Sequence, residues 1–189
     1  VVVTENNVNS LHPVEILHGS ICILTPPPPP ILKFDVEDTV CDTKGKNIQL
    51  PVRVTGFKNI RSFSMTVTVD STSILQINNI SSSLSGLTFF EATTKKTFTL
   101  QMLSNTGITL ADGSIAYNIN ATLVGNPGQT AHISIISIPT AIQGIAFENN
   151  QNINVPVEVM GGSACIKPAS LVSLSGKVLD RQNAGIKSA

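Results

Sequence analysis

The chain has 189 residues, and its 12 Lys plus Arg balance 12 Asp plus Glu, which argues against nucleic acid or an anionic membrane surface as a partner, since both need a basic patch. Charged residues make up 13%, about half of the usual share of roughly 25%, and no apolar run approaches the roughly 18 residues that would span a bilayer. The other polar residues are mostly Thr, Ser and Asn and the apolar ones mostly Val, Ile and Leu, strand-forming chemistry that suits an extracellular or bacterial cell-surface protein.

The first element is a segment that occurs twice. Thr4–Ile23 reads TENNVNSLHPVEILHGSICI and Phe147–Ile166 reads FENNQNINVPVEVMGGSACI; without gaps they agree at 11 of 20 positions, among them Pro13/Pro156, Gly19/Gly162 and Cys22/Cys165. Convergence of two similar strand-turn-strand pieces is one explanation, but an ungapped match that includes a proline and a cysteine favours a true repeat. The offset of 143 residues makes the repeating unit a whole domain. Residues 1–24 then read as the end of a preceding module and 31–167 as a complete one. Between them, TPPPPP at 25–30 favours an extended polyproline spacer that cannot join a hydrogen-bonded ladder; a ligand for a proline-binding domain is the alternative.

From Ile31 apolar and polar residues alternate, which predicts strands over 31–36, 47–57 and 62–70. In the third of these Phe63, Met65, Val67 and Val69 take one face and Ser62, Ser64, Thr66 and Thr68 the other. A fourth strand covers 73–80, and a short apolar piece, Leu87–Phe90, precedes a strand at 96–103 with Phe98, Leu100 and Met102 inward. At 115–125 the inward set is Ile115, Tyr117, Ile119, Ala121 and Leu123, alternating with Ala116, Asn118, Asn120 and Thr122. HISIISI, AIQGIAF and NVPVEVMGGSACI complete about nine or ten strands, with no convincing helix. The expected class is all-β, a sandwich or jelly roll.

At this point three segments resemble a cohesin domain: GFKNIRSFSMTVTVDSTSILQINNI its early strands, GITLADGSIAYNINATLVGNPG its "G-V-T-L-P-D-G-T, strand, G-x-P-G" run, and NVPVEVMGGSACI its closing strand. Ser71 stands where that family usually has proline, and the tryptophan often found near its sixth strand is missing. The resemblance implies a nine-stranded jelly-roll β-sandwich over about 31–166. The last stretch, VSLSGKVLDRQNAGIKSA, is similar to the opening of carboxypeptidase-regulatory-like or related Ig-type β modules, so 168–189 read as a linker and the first strands of another module.

In the cohesin-like topology the first and last strands run parallel side by side, which implies a Cys41–Cys165 disulfide and leaves Cys22 unpaired or paired upstream. Three reduced, buried cysteines are the alternative. The resemblance also places a dockerin-type partner on the sheet of the third, fifth, sixth and eighth strands. Its outward positions would be Ser64, Thr66, Thr68, Thr97, Thr99, Gln101, Asn118, Asn120 and Thr122. That face reads as short, polar and flat: it carries none of the Trp, Tyr or Arg that anchor protein interfaces, and a solvated Ser/Thr/Asn ladder is the plainer reading. The chain has no Trp, and its single Tyr117 points inward by phase, so an aromatic strip for polysaccharide is also missing. Asn79-Ile-Ser and Asn120-Ala-Thr match the N-glycan acceptor pattern, while Thr39 and Ser71 sit in contexts that resemble bacterial O-glycan sites.

Chemistry for catalysis is not evident. His12, His18 and His132 are scattered, and Glu91, Asp70 and Asp112 are separate carboxylates. Asp70 and Asp112 fall in turns, where a carboxylate commonly caps backbone N–H groups, with calcium binding as the alternative. There is no nucleophile elbow, zinc-protease motif, phosphate loop or Cys/His cluster, so no enzyme, cofactor or metal is expected. The leading expectation is a non-enzymatic repeat of a large secreted surface protein, a structural or adhesive stalk or filament unit. Its partners would be neighbouring modules, with strand pairing on an open sheet edge as one route. A scaffold module that binds a dockerin-type protein is the alternative, and carbohydrate binding is third.

Overall fold

Alternating side chains force a strand to choose an inner and an outer face, and two such sheets bury their inner faces against each other. The computed structural model describes residues 31–169 and, between 2 and 23, the backbone of four short strands. The spacer at 25–30 and the segment 170–189, where an Ig-type module was expected to begin, lie outside the described residues, as do the side chains of His12, His18 and Cys22.

The early strands are β1 (Val2–Glu5), β2 (Val8–Leu11), β3 (Val14–Leu17) and β4 (Ser20–Ile23). The sandwich consists of β5 (Leu32–Val36), β6 (Val40–Thr43), β7 (Asn47–Thr55), β8 (Ile60–Val69), β9 (Leu75–Ser81), β10 (Leu87–Thr93) and β11 (Thr97–Ile108), followed by β12 (Ile115–Leu123), β13 (Thr130–Ile136), β14 (Gln143–Glu148), β15 (Gln151–Val155), β16 (Val157–Met160) and β17 (Gly162–Lys167). These pieces are nine strands with three interruptions and one addition. β5 and β6 are halves of the first strand, β13 and β14 of the eighth, and β16 and β17 of the ninth; β15 is the addition, a return strand on β14.

One sheet has five strands in the order β16-β5-β7-β12-β9, and the other runs β10-β11-β8-β13-β17-β6 with β14 and β15 attached beside β8. The first and last strands each cross from one sheet to the other. β16 pairs parallel with β5 in the first sheet, and β17 pairs parallel with β6 in the second. Gly161 and Gly162 make the second crossing possible. A Cβ on Gly161 would stand 2.5 Å from the Ile133 carbonyl oxygen, and one on Gly162 would press on Val36 and Glu37. Just after the crossing, Cys41 and Cys165 are register partners. They are joined as a disulfide, with their Cα atoms 4.5 Å apart.

Between the sheets lies one apolar core. Phe34, Phe57, Phe63 and Tyr117 are buried at its centre, and the Phe34 ring stands 5.0 Å from Phe63 and 6.3 Å from Phe57, within the range favoured by edge and tilted aromatic contacts. Tyr117 is fully buried, and its hydroxyl donates to Met65 Sδ at 3.1 Å. One expected side-chain phase is corrected here. The ladder between β12 and β7 shifts between Ile115 and Tyr117, so Ala116 and Tyr117 both turn inward and Ile115 is left 42% exposed. A bulge inserts one residue and reverses the alternation on one side of it.

β1 and β2 pair in the register of β14 and β15 offset by 143: Val2 faces Leu11 as Ile145 faces Asn154, and Glu5 faces Val8 as Glu148 faces Gln151. β3 and β4 pair with each other, whereas their counterparts β16 and β17 are divided between the two sheets.

Candidate partner-binding face

β8 from Ser62 onward, β11 as far as Leu103, and β13 alternate in the ladder and sit mid-sheet, so their residues pointing away from the core form one continuous outer surface. Reading across the sheet, Phe90 faces Thr99, Thr99 faces Thr66, and Thr66 faces Ile136. The neighbouring row runs Thr88, Gln101, Ser64 and Gln143, and a further one Leu103, Ser62 and Ile145. Thr68 and Thr97 face each other with hydroxyls 3.1 Å apart.

The expected single face is divided between the two sheets, which is a correction. Ser64, Thr66, Thr68, Thr97, Thr99 and Gln101 lie on the larger sheet, but Asn118, Asn120 and Thr122 belong to β12 in the smaller one. The reason is a strand count. Leu87–Phe90 is part of a full edge strand, β10, which is the fifth; β12 is therefore the seventh and lies on the other sheet.

Thr66 is a second correction. It is completely buried, because the connection from β13 to β14 folds over it. The Thr66 hydroxyl donates to the Thr140 carbonyl oxygen at 3.3 Å and accepts from the Thr140 N–H at 3.1 Å, while the Ser64 hydroxyl donates to the Ala141 carbonyl oxygen at 2.8 Å. Both halves of this interrupted strand pair with β8, so the residues between them have no ladder partner and lie as a flap on the outer face. Ile138 in that flap is 74% exposed.

With the flap in place the face is not simply polar. Phe90 is 67% exposed, Leu103 64% and Ile136 37%, and all three point outward in the register above. They are spaced along one face among hydroxyls and amides rather than packed into one contiguous patch. Phe90 and Ile136 are three strand spacings apart, about 14 Å. Among the outward residues of β8, β11 and β13, only His132 and Arg61 can carry a charge, and the Arg61 guanidinium is laid 3.5 Å over the Phe147 ring and donates to Asn152. The phase of Thr97, Thr99, Gln101 and Leu103 made Leu103 legible from sequence; Phe90 was hidden because the length of its strand was not.

The outer face of the smaller sheet is a polar ladder. Gln49 Nε2 donates to Asn120 Oδ1 at 3.0 Å, and Asn120 Nδ2 donates to Asn79 Oδ1 at 2.6 Å and to Ser81 Oγ at 2.9 Å. Thr122 accepts from Asn78 and donates to Asn47. Nearer β16 the face is charged, with Lys33 Nζ 2.7 Å from Glu158 and Arg53 Nε 3.3 Å from Glu37. Asn118 lies on the same strand, half-buried. Of the glycan-acceptor candidates, Asn79 and Asn120 therefore sit inside this ladder, Thr39 contacts Ser163 across 3.2 Å beside the disulfide, and the Ser71 hydroxyl contacts that of Ser73.

The separate carboxylates have backbone partners. Asp70 accepts from the His132 N–H at 3.1 Å, Asp112 from the Gly56 N–H at 2.8 Å, and Glu91 from the Lys95 N–H. Among the described residues no three His, Cys, Asp or Glu are grouped to hold a metal ion, and no helix is long and apolar enough to cross a membrane.

No protein-family model matches the sequence, and no curated protein does. Solved structures do match. The seventh ScaB type I cohesin of Pseudobacteroides cellulosolvens is similar over 74% of this chain and 95% of its own, with a TM-score of 0.62 at 11% identity. The described domain has the cohesin fold. A cohesin solved in a type I cohesin–dockerin complex from Clostridium thermocellum superposes on the cohesin-like domain with a TM-score of 0.60 at 9% identity, covering 76% of this chain and 98% of that one. A non-cellulosomal cohesin from the archaeon Archaeoglobus fulgidus gives 0.57 at 14% identity, over 72% and 91%.

Proposed function

We propose that the cohesin-like domain is a non-enzymatic binding module that holds a dockerin-type protein against the outer face of its larger sheet, and that it works outside the cell or on a bacterial surface. The observation that carries this reading is the exposure of Phe90, Leu103, Ile136 and Ile138 on one charge-poor face of a fold whose solved examples include cohesin–dockerin complexes. A disulfide between register partners supports an oxidising compartment. The test is calorimetric titration of the full chain with a panel of dockerins, with and without calcium. Calcium-dependent binding of one of them is expected, weakened at least roughly tenfold by Phe90→Asp or Ile138→Asp, since losing an apolar interface anchor costs about 2 kcal/mol or more. Binding that survives both substitutions would move the partner to another face.

A second reading has its own support. The repeated segment, with hairpins in matching register, favours a tandem stalk or filament in which each domain is a structural bead. Failure of the folded chain to bind any dockerin would favour this reading over the first.

A further inference from the structure

The two copies of the repeated segment differ where the closing slot of the domain is tightest, and we infer that the slot between β5, β6 and β13 admits only the second copy, so that neighbouring modules do not exchange their closing strands. Tandem modules with similar closing strands are prone to such exchange, because each strand finds an equivalent slot next door. Much of Thr4–Ile23 would fit: Pro13, Glu15, Gly19, Cys22 and Ile23 are identical to Pro156, Glu158, Gly162, Cys165 and Ile166. Cys22 would even stand opposite Cys41.

Two positions exclude it. The residue equivalent to Gly161 is His18, and a Cβ there would lie 2.5 Å from the carbonyl oxygen of Ile133, a backbone atom of a central strand that cannot move aside alone. The residue equivalent to Ala164 is Ile21. Ala164 is fully buried between the sheets, and a side chain larger by three carbons overpacks a core already filled to crystal-like density. The first copy therefore keeps the hydrogen-bonding and disulfide features of the slot but not its shape.

The test uses the full chain in a glutathione redox buffer. At equilibrium free thiols are alkylated, and the Cys41–Cys165 peptides within a chain and the Cys22–Cys41 peptides between chains are quantified by mass spectrometry, since the short spacer at 25–30 cannot run back along the strand within one chain. The wild-type chain should hold Cys41 with Cys165. The double variant His18→Gly/Ile21→Ala should raise the Cys22–Cys41 fraction roughly tenfold or more, the change that relief of one overpacked site corresponds to. Both substitutions lie in the N-terminal copy, so the folding of the domain itself is not at risk. Equal Cys22–Cys41 fractions in the two chains, whether both low or both high, would overturn the inference.

Discussion

Apart from Tyr117, Thr66 is the one residue with a polar side chain that is fully buried among the described residues, and what buries it is the backbone of Thr140, held through both its N–H and its carbonyl oxygen. A side chain that alternation assigns to solvent has become the peg on which a flap hangs.

Thr66→Val keeps the volume and removes both bonds, leaving the Thr140 backbone groups without that partner. A cost of about 1–3 kcal/mol is expected for unpaired buried groups, read as a lower midpoint in urea unfolding. Amide exchange at Thr140 should rise more than at Ile133 on the neighbouring strand. Unchanged exchange at Thr140 would mean that the flap is held by something else.

Cys41 and Cys165 close a loop with a sequence separation of 124. Chain-entropy arguments put the stabilisation from so long a loop at about 5 kcal/mol, less any distortion. Unfolding followed with and without reductant, and in Cys41→Ser/Cys165→Ser, should show a loss approaching that figure. Reductant should have no effect on the double variant.

Tyr117 predicts a dependence on alkaline pH. Full burial raises its hydroxyl well above the ordinary value near 10, because the phenolate would lose its hydration. The unfolded chain releases this proton above pH 10 and the folded chain retains it, so stability should fall by about 1.4 kcal/mol per pH unit there and be unaffected by this group below. Tyr117→Phe should remove that part of the slope. Its cost at neutral pH should be no more than about 1 kcal/mol, since the lost acceptor is a thioether sulfur.

The sandwich was legible because long stretches of its strands alternate: in β7 and β13 each inward residue of the pattern is buried. What escaped sequence reading was non-local. Nothing in the sequence around Leu87–Phe90 fixes how far that strand runs, since an edge strand with only one partner need not be apolar on both sides, and on that length hung the assignment of Asn118, Asn120 and Thr122 to a face. The burial of Thr66 depends on a segment more than 70 residues away. The bulge beside Ala116 likewise shows in the pairing of β12 with β7 and not in β12 alone.

The parallel run of the first and last strands has a mechanical consequence. The chain enters at the Leu32 end of the pair and leaves at the Lys167 end, so the two attachment points lie at opposite poles. A pull applied through the neighbouring segments would travel along residues 31–41, cross the disulfide, and continue from 165 onward. The backbone of residues 42–164, including the candidate binding face, would lie outside that covalent path. The domain can be hauled on by its ends without its candidate binding face being unravelled.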